Sequence, residues 1–194
     1  MALITLPKKL AELPKLPDFS EDEWDLLNKG KFIKRQERFT GEGGFTGGKG
    51  VAYMIVSRPP QAVWDQILDF DRYPEFFPNV AKCKIYKQEE GEIWAEFLLK
   101  IGMIVKIHYH IHHSFNPRQS RMTWKMDETR KNDFKQSIGM WTAWPLENDR
   151  SLVGYTVSLD VGRSVPKVIE DIAAQSGLNK VMEALKKRIS RSGR

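Results

Sequence analysis

Between Asn79 and Gly162 the chain is one β-type segment after another, and no other feature narrows the fold as far. The segments run from Val80 to Gln88, Ile93 to Ile101, Ile104 to Phe115, Arg121 to Asp127, Lys135 to Leu146 and Leu152 to Val161. The breaks between them, at Glu90-Gly91, Gly102, Asn116-Pro117-Arg118 and Glu147-Asn148-Asp149, are turn-forming and of hairpin length. Loops that short join antiparallel neighbours, so these segments form a meander. Val105, Ile107, Tyr109 and Ile111 face one way while Lys106, His108, His110 and His112 face the other, and Met122, Trp124 and Met126 oppose Arg121, Thr123, Lys125 and Asp127. One face is apolar and one is wet. The last segment, Val165 to Ile189, carries Val165, Val168, Ile169, Ile172, Ser176, Val181, Met182, Leu185 and Ile189 on one stripe, the signature of a long amphipathic helix that covers the apolar face.

The first half is less regular. Residues 1–30 read as an arm with Pro7, Pro14 and Pro17 and one short helix from Glu21 to Asn28, opened by Ser20 with acids in the first turn; residues 31–194 read as a single domain. Lys31 to Phe39 alternates weakly enough to make one extra N-terminal strand an option. Gly41 to Gly50 holds six glycines in ten positions and spells Gly-x-x-x-x-Gly-Lys from Gly43 to Lys49. A phosphate loop needs Ser or Thr next and then a helix. Gly50 and the β-type run Val51 to Val56 follow instead, so a hairpin connection is expected. Ser57 is placed to cap a helix carrying Val63, Trp64, Ile67 and Leu68, and Asp71 to Pro78 reads as a second short helix or turn.

Composition bounds the remaining classes. The 194 residues are enough for one domain with a real core, and the single cysteine, Cys83, rules out an internal disulfide framework. No apolar run approaches the ~18 residues of a membrane span, and the first residues reverse the charge order of a secretory signal, so a cytoplasmic protein is expected. The formal charge of +6 invites a nucleic-acid reading until it is located. Six basic residues and the single acid Glu183 lie between Lys180 and Arg194, which leaves the rest nearly neutral and disfavours a nucleic-acid partner.

The order of a strand, two short helices, a six-stranded meander and a closing helix resembles the helix-grip fold of the START/Bet v 1-like superfamily. Val56-Ser-Arg-Pro-Pro-Gln-Ala-Val-Trp-Asp-Gln-Ile-Leu-Asp-Phe-Asp-Arg-Tyr-Pro-Glu-Phe-Phe-Pro-Asn-Val80 is similar to the opening of its polyketide cyclase/dehydrase and coenzyme-Q-binding branch. Gly139-Met-Trp141 with Pro145, then Leu152-Val-Gly-Tyr155, is similar to that branch's last hairpin, and the resemblance covers about residues 49–190. It implies an α+β fold in which a curved antiparallel sheet of six to seven strands wraps around the C-terminal helix. It also implies a hydrophobic cavity between sheet and helix, used for lipids, sterols, quinones, polyketides or plant hormones.

Placed on that fold, the alternation turns Ile93, Ala95, Phe97, Leu99, Val105, Ile107, Tyr109, Met122, Trp124, Met126, Trp141, Ala143, Val153, Tyr155 and Val157 inward, with Ile172 and Met182 from the helix and a mouth near Phe76 and Phe77. Such a list also describes a solid core. Its mixture of Trp, Tyr and Met leans toward an adaptable cavity. The expected ligand-binding residues are Phe76, Phe77, Phe97, Val105, Ile107, Tyr109, Met122, Trp124, Met126, Trp141, Tyr155, Ile172 and Met182, the partner is a hydrophobic small molecule, and no cofactor is expected.

All four histidines lie within six positions. His108, His110 and His112 share a strand face, where neighbours two apart can meet one zinc, but the face is the convex one and Lys106 continues the row. A polar surface is expected there, and no metal; a register one residue out would turn the row into the cavity. No nucleophile constellation stands out, and Tyr109, Tyr155, Asp160 and Arg163 are the only groups that cyclase-type proton transfer would offer. Three functions follow in order: binding or transport of a small hydrophobic ligand, a polyketide cyclase, aromatase or dehydratase, and a ribosome- or RNA-associated interaction protein.

Overall fold

The computed structural model describes residues 5–7, 10, 12–41, 45–102, 104–160 and 177–192, the side chains of 36–48 excepted. Helix α1 (Glu21–Asn28) leads into strands β1 (Ile33–Gly41) and β2 (Phe45–Val56). Helix α2 (Pro60–Ile67), a 3-10 turn (Phe70–Arg72) and helix α3 (Tyr73–Phe76) follow. The meander is β3 (Val80–Glu89), β4 (Glu92–Ile101), β5 (Val105–Asn116), β6 (Arg121–Met126), β7 (Gln136–Leu146) and β8 (Arg150–Asp160), and α4 (Gly177–Arg191) is the closing helix. One sheet of eight strands results, in the order β1-β2-β8-β7-β6-β5-β4-β3, every pair antiparallel. The class is α+β as expected, with more strands than the six to seven anticipated. The first part of the expected long helix, with Ile172 in it, and Arg163 lie outside the described residues. No helix among the described residues is long and apolar enough to cross a membrane.

The local signals have local causes. Ser20 and Glu23 form a reciprocal capping box at α1, satisfying two otherwise orphaned amides. Asn148 and Asp149 both take positive φ (58° and 52°) in the three-residue connection that turns β7 back into β8, and Gly91 and Gly102 supply the same freedom at their turns. Ser57 does not cap α2: Pro59 stands at the N-cap without a side-chain bond, and the first helical turn is set by proline.

The glycine-rich stretch departs from its expected role. Residues 45–50 belong to β2, paired with β1 on one side and, from Gly48 onward, with β8 on the other. Gly50 is needed there because α4 crosses the strand: a Cβ at that position would stand 2.4 Å from Cδ1 of Leu178. The turn itself, 42–44, lies outside the described residues.

Two cores lie on opposite faces of the sheet. The main one fills the concave side, where α4 buries Leu178, Met182, Leu185 and Ile189 and α2 buries Val63, Trp64 and Ile67. Trp64 anchors that end, its Nε1 donating to Ser120 Oγ at 2.7 Å and its ring packed 4.7 Å from Phe115. The second core sits on the convex side, where Phe19 and Leu27 cover Ile33, Ile55, Trp144 and Leu152, and Trp144 Nε1 donates to the carbonyl of Pro14 at 2.8 Å. That convex patch was expected to be wet, but the arm dries it. The basic end of α4 is likewise not merely solvated. Lys186 Nζ donates to the Gly30 carbonyl at 2.8 Å, and Arg188 joins Gln66 and Asp69 while lying over the ring of Phe76.

Candidate functional site

A cavity of about 230 Å³ lies between the concave sheet and α4. Phe97, Leu99 and Ile101 reach it from β4; Tyr109, Ile111 and His113 from β5; Met122 and Trp124 from β6; Ser137 and Trp141 from β7; Tyr155, Val157 and Leu159 from β8. Gly177, Leu178, Lys180 and Val181 close it from α4, and Tyr73, Phe77, Pro78, Asn79 and Val80 close the end near α3. Among these, Asn79 and Lys180 are exposed and mark its edge.

Aromatic stacks build the walls. Tyr155 lies 4.1 Å from Trp141 and 5.6 Å from Trp124, and Phe97 stacks on Tyr109 at 5.1 Å. The Trp124 indole occupies space that only Gly139 leaves open, since a Cβ there would stand 2.0 Å from Cζ2 of the tryptophan. Phe134, also a lining residue, packs 5.0 Å from Tyr109. It arrives on the β6–β7 connection, which finishes the edge of β5 in place of a strand. There Asp133 Oδ2 and Asn132 Oδ1 accept the amides of His108 and His110, both at 2.7 Å.

The polar groups in this wall are uncharged. Burial pushes the phenols of Tyr73, Tyr109 and Tyr155 up, so all three are neutral donors. Tyr73 spends its hydroxyl on the Ile67 carbonyl, whereas Tyr109 and Tyr155 have no hydrogen-bond partner among the described residues. His113, 5% exposed and edge-on to Phe70, has a buried Nδ1 without a partner. Desolvation brings its pKa down to about 3, so the imidazole is neutral. A buried nitrogen left unpaired is costly, and a ligand hydrogen bond would relieve it.

A pH dependence follows. Below its ordinary value of 6.5 the unfolded chain binds a proton on His113 that the folded chain refuses, so stability falls as the pH falls. One such proton contributes about 1.4 kcal/mol per pH unit. Urea unfolding from neutral pH to about pH 5 is expected to show this slope on top of the other groups, and His113→Phe is expected to flatten it by that amount. Identical slopes would contradict a neutral buried imidazole.

Of the thirteen expected ligand-binding residues, Phe77, Phe97, Tyr109, Met122, Trp124, Trp141 and Tyr155 line the cavity. Ile107, Met126 and Met182 are buried in the packed core around it, Phe76 and Val105 pack on that core half-buried, and Ile172 lies outside the described residues. The edge at Asn79 and Lys180 lies beyond the Phe76-Phe77 position expected for the mouth. The sequence reading missed His113, although its parity with Tyr109 and Ile111 points it inward. It also missed Phe134, which sits in a loop and carries no periodic signal.

The other histidines take the convex face, as the register required, where His108 is exposed, His112 half-buried and His110 buried, each with a polar partner. His108 Nε2 meets Glu96 Oε1 at 2.7 Å, and His112 meets Glu92 Oε2 at 2.5 Å while stacking on Trp94 at 4.2 Å. His110 is buried against Asn132 and Tyr86. Among the described residues no group of three or more His, Cys, Asp or Glu is gathered as a metal site would need. Cys83 is buried and its thiol is pushed up, far from a reactive thiolate.

Sheet, grip helix and interior cavity together define a START-like domain. The polyketide cyclase / dehydrase and lipid transport family model matches residues 56–186, and the chain belongs to that family. Three solved structures share the fold. A STAR-related lipid transfer protein from Xanthomonas axonopodis is 13% identical (TM-score 0.65; 80% of this chain, 99% of that one). The Zhui aromatase/cyclase from a Streptomyces species is 14% identical (TM-score 0.63; 84% and 97%). Human STARD10 is 12% identical (TM-score 0.62; 93% and 83%). Among curated proteins none matches this chain in sequence.

Proposed function

We propose that the chain is a cytoplasmic protein that binds a small, uncharged, largely apolar molecule in the cavity under α4. One observation carries the reading: among the described lining residues there is no carboxylate, Lys180 at the edge is the one cation, and the polar side chains inside are neutral, Tyr73, Tyr109, Tyr155, His113 and Ser137, of which Tyr109, Tyr155 and the His113 Nδ1 have no hydrogen-bond partner among the described residues. Such a wall accepts an apolar body and orients it with two or three hydrogen bonds. At about 230 Å³ the space is just below the ~300–1,000 Å³ of drug-sized sites, which favours a compact ligand over a lipid with two long chains.

The family description and the STAR-related lipid transfer protein among the structural neighbours support binding or transfer. The aromatase/cyclase neighbour supports the second reading, in which the same phenols and imidazole hold a polyketide-like chain while it cyclises. Protein purified from its own host is expected to carry an apolar small molecule at close to one per chain, seen by native mass spectrometry and identified after organic extraction. An empty cavity that also takes up none of a panel of quinones, polyketides and lipids would overturn binding; conversion of a bound polyketide would promote the cyclase reading.

A further inference from the structure

Of the three buried side-chain nitrogen and oxygen atoms without a partner among the described residues, only His113 Nδ1 belongs to a residue that lines the cavity. Three rings pack round that imidazole: Phe70 edge-on at 4.8 Å, Phe97 at 6.1 Å and Trp124 at 6.4 Å. Their one N–H, on the Trp124 indole, is spent on Ser137 Oγ. The phenol of Tyr73, which packs on Phe70 and Phe97, is spent on the Ile67 carbonyl. Folded chains leave few polar atoms in this state, because each forfeits the hydrogen bond it had with water when unfolded. A single water is a poor remedy here, since an ordered one needs roughly two to four polar partners and these rings have none to spare. A molecule with its own apolar body meets both needs, filling the space between the rings and bringing one polar atom to the imidazole.

We propose that His113 is the residue that selects the ligand, and that it selects a phenol, whose hydroxyl hydrogen-bonds to Nδ1; this step rests on the cavity reading. A hydroxyl donates to a bare ring nitrogen and accepts from a protonated one, so it satisfies either tautomer of a neutral imidazole. An ether, ester or quinone oxygen satisfies one tautomer alone. A carboxylate or ammonium group in the same place would be a buried charge with no counter-ion. The aromatic body follows from the walls, where Tyr155 packs on Trp124 and Trp141 and Phe97 stacks on Tyr109.

The full chain is dialysed to equilibrium against 2-naphthol, 2-methoxynaphthalene and naphthalene, which share one skeleton and differ only at the oxygen. 2-Naphthol is expected to bind roughly ten- to a hundredfold more tightly than either of the others, the range set by leaving a buried nitrogen unpaired. Decahydro-2-naphthol, the saturated alcohol, is expected to bind roughly several-fold more weakly than 2-naphthol, having lost the ring contacts. The preference for 2-naphthol over naphthalene is expected to disappear in His113→Phe and to survive in part in His113→Gln, which keeps a polar atom on the strand. A histidine that only supports the wall would instead change the affinity for all of these molecules together. Equal affinity for 2-naphthol and 2-methoxynaphthalene, or a preference that survives His113→Phe undiminished, overturns the role given to His113 and leaves the cavity reading standing. Equal affinity for the saturated alcohol overturns the choice of a phenol. Uptake of none of them by a chain that native mass spectrometry finds empty overturns this inference and the cavity reading together.

Discussion

A Met182→Asp chain is expected to be largely unfolded at neutral pH, or to survive with a stability several kcal/mol below that of the natural protein. Met182 is fully buried on the α4 stripe formed by Leu178, Met182, Leu185 and Ile189. A carboxylate there has to lose its hydration against an apolar sheet, or protonate at a cost of similar size, and the penalty without a partner is several kcal/mol. Domains of this size have about 5–15 kcal/mol in total, so one substitution removes a large part of it. Two comparisons separate burial from helix propensity. Met182→Leu keeps the volume and is expected to cost under about 1.5 kcal/mol. Lys187→Asp, on the exposed side of the same helix, is expected to shift the urea midpoint only slightly, by about 0.5 kcal/mol. A Met182→Asp midpoint equal to that of Lys187→Asp would mean that α4 does not present this face to the sheet.

What could be read from the residues alone is what local chemistry determines. The strands of the meander show through period-two alternation, and their ends through residues that tolerate positive φ, such as Asn148-Asp149 and Gly91. The extent of α1 shows through its capping box. What was hidden depends on contacts distant in sequence. Gly50 reads as turn material because a glycine run lacks side chains, yet here the missing Cβ makes room for Leu178, more than a hundred residues away. Trp144 and Leu152 stand at outward positions of β7 and β8, and only the N-terminal arm, brought back by Trp144 and Pro14, turns those positions into a core. Their size was the available clue: large apolar residues on both faces of adjacent strands mean a sheet covered twice. In the cavity, strand parity placed Phe97, Tyr109, Trp124, Trp141 and Tyr155, while the split between lining and solid core was not legible. Ile107 and Tyr109 share a face, and only the shape of the sheet decides that Tyr109 meets the cavity and Ile107 meets packed side chains.

Gly139→Ala is expected to remove the cavity floor and with it most of the bound ligand, at a stability loss of about 1–3 kcal/mol. The added methyl would stand 2.0 Å from Cζ2 and 2.4 Å from Cη2 of Trp124, and 2.5 Å from the carbonyl oxygen of Thr156. Neither obstacle yields cheaply. The carbonyl belongs to β8, paired along its whole length with β7, so moving it disturbs the ladder from Gln136 to Leu146. The indole is stacked on Tyr155 and donates to Ser137 Oγ at 3.3 Å, and Trp124 is the direct cross-strand partner of Gly139. Its way out is into the cavity, where it would take the place of the ligand and part Tyr155 from its neighbour. Native mass spectrometry is therefore expected to find the variant empty while circular dichroism still reports the sheet, and denaturation to place it below the natural chain. Relief of the indole clash alone, in Gly139→Ala with Trp124→Leu, is expected to restore only part of the stability, because the contact with Thr156 remains. A Gly139→Ala chain as stable and as loaded as the natural one would show that Trp124 does not lie over this glycine, and would remove the floor from the cavity as described.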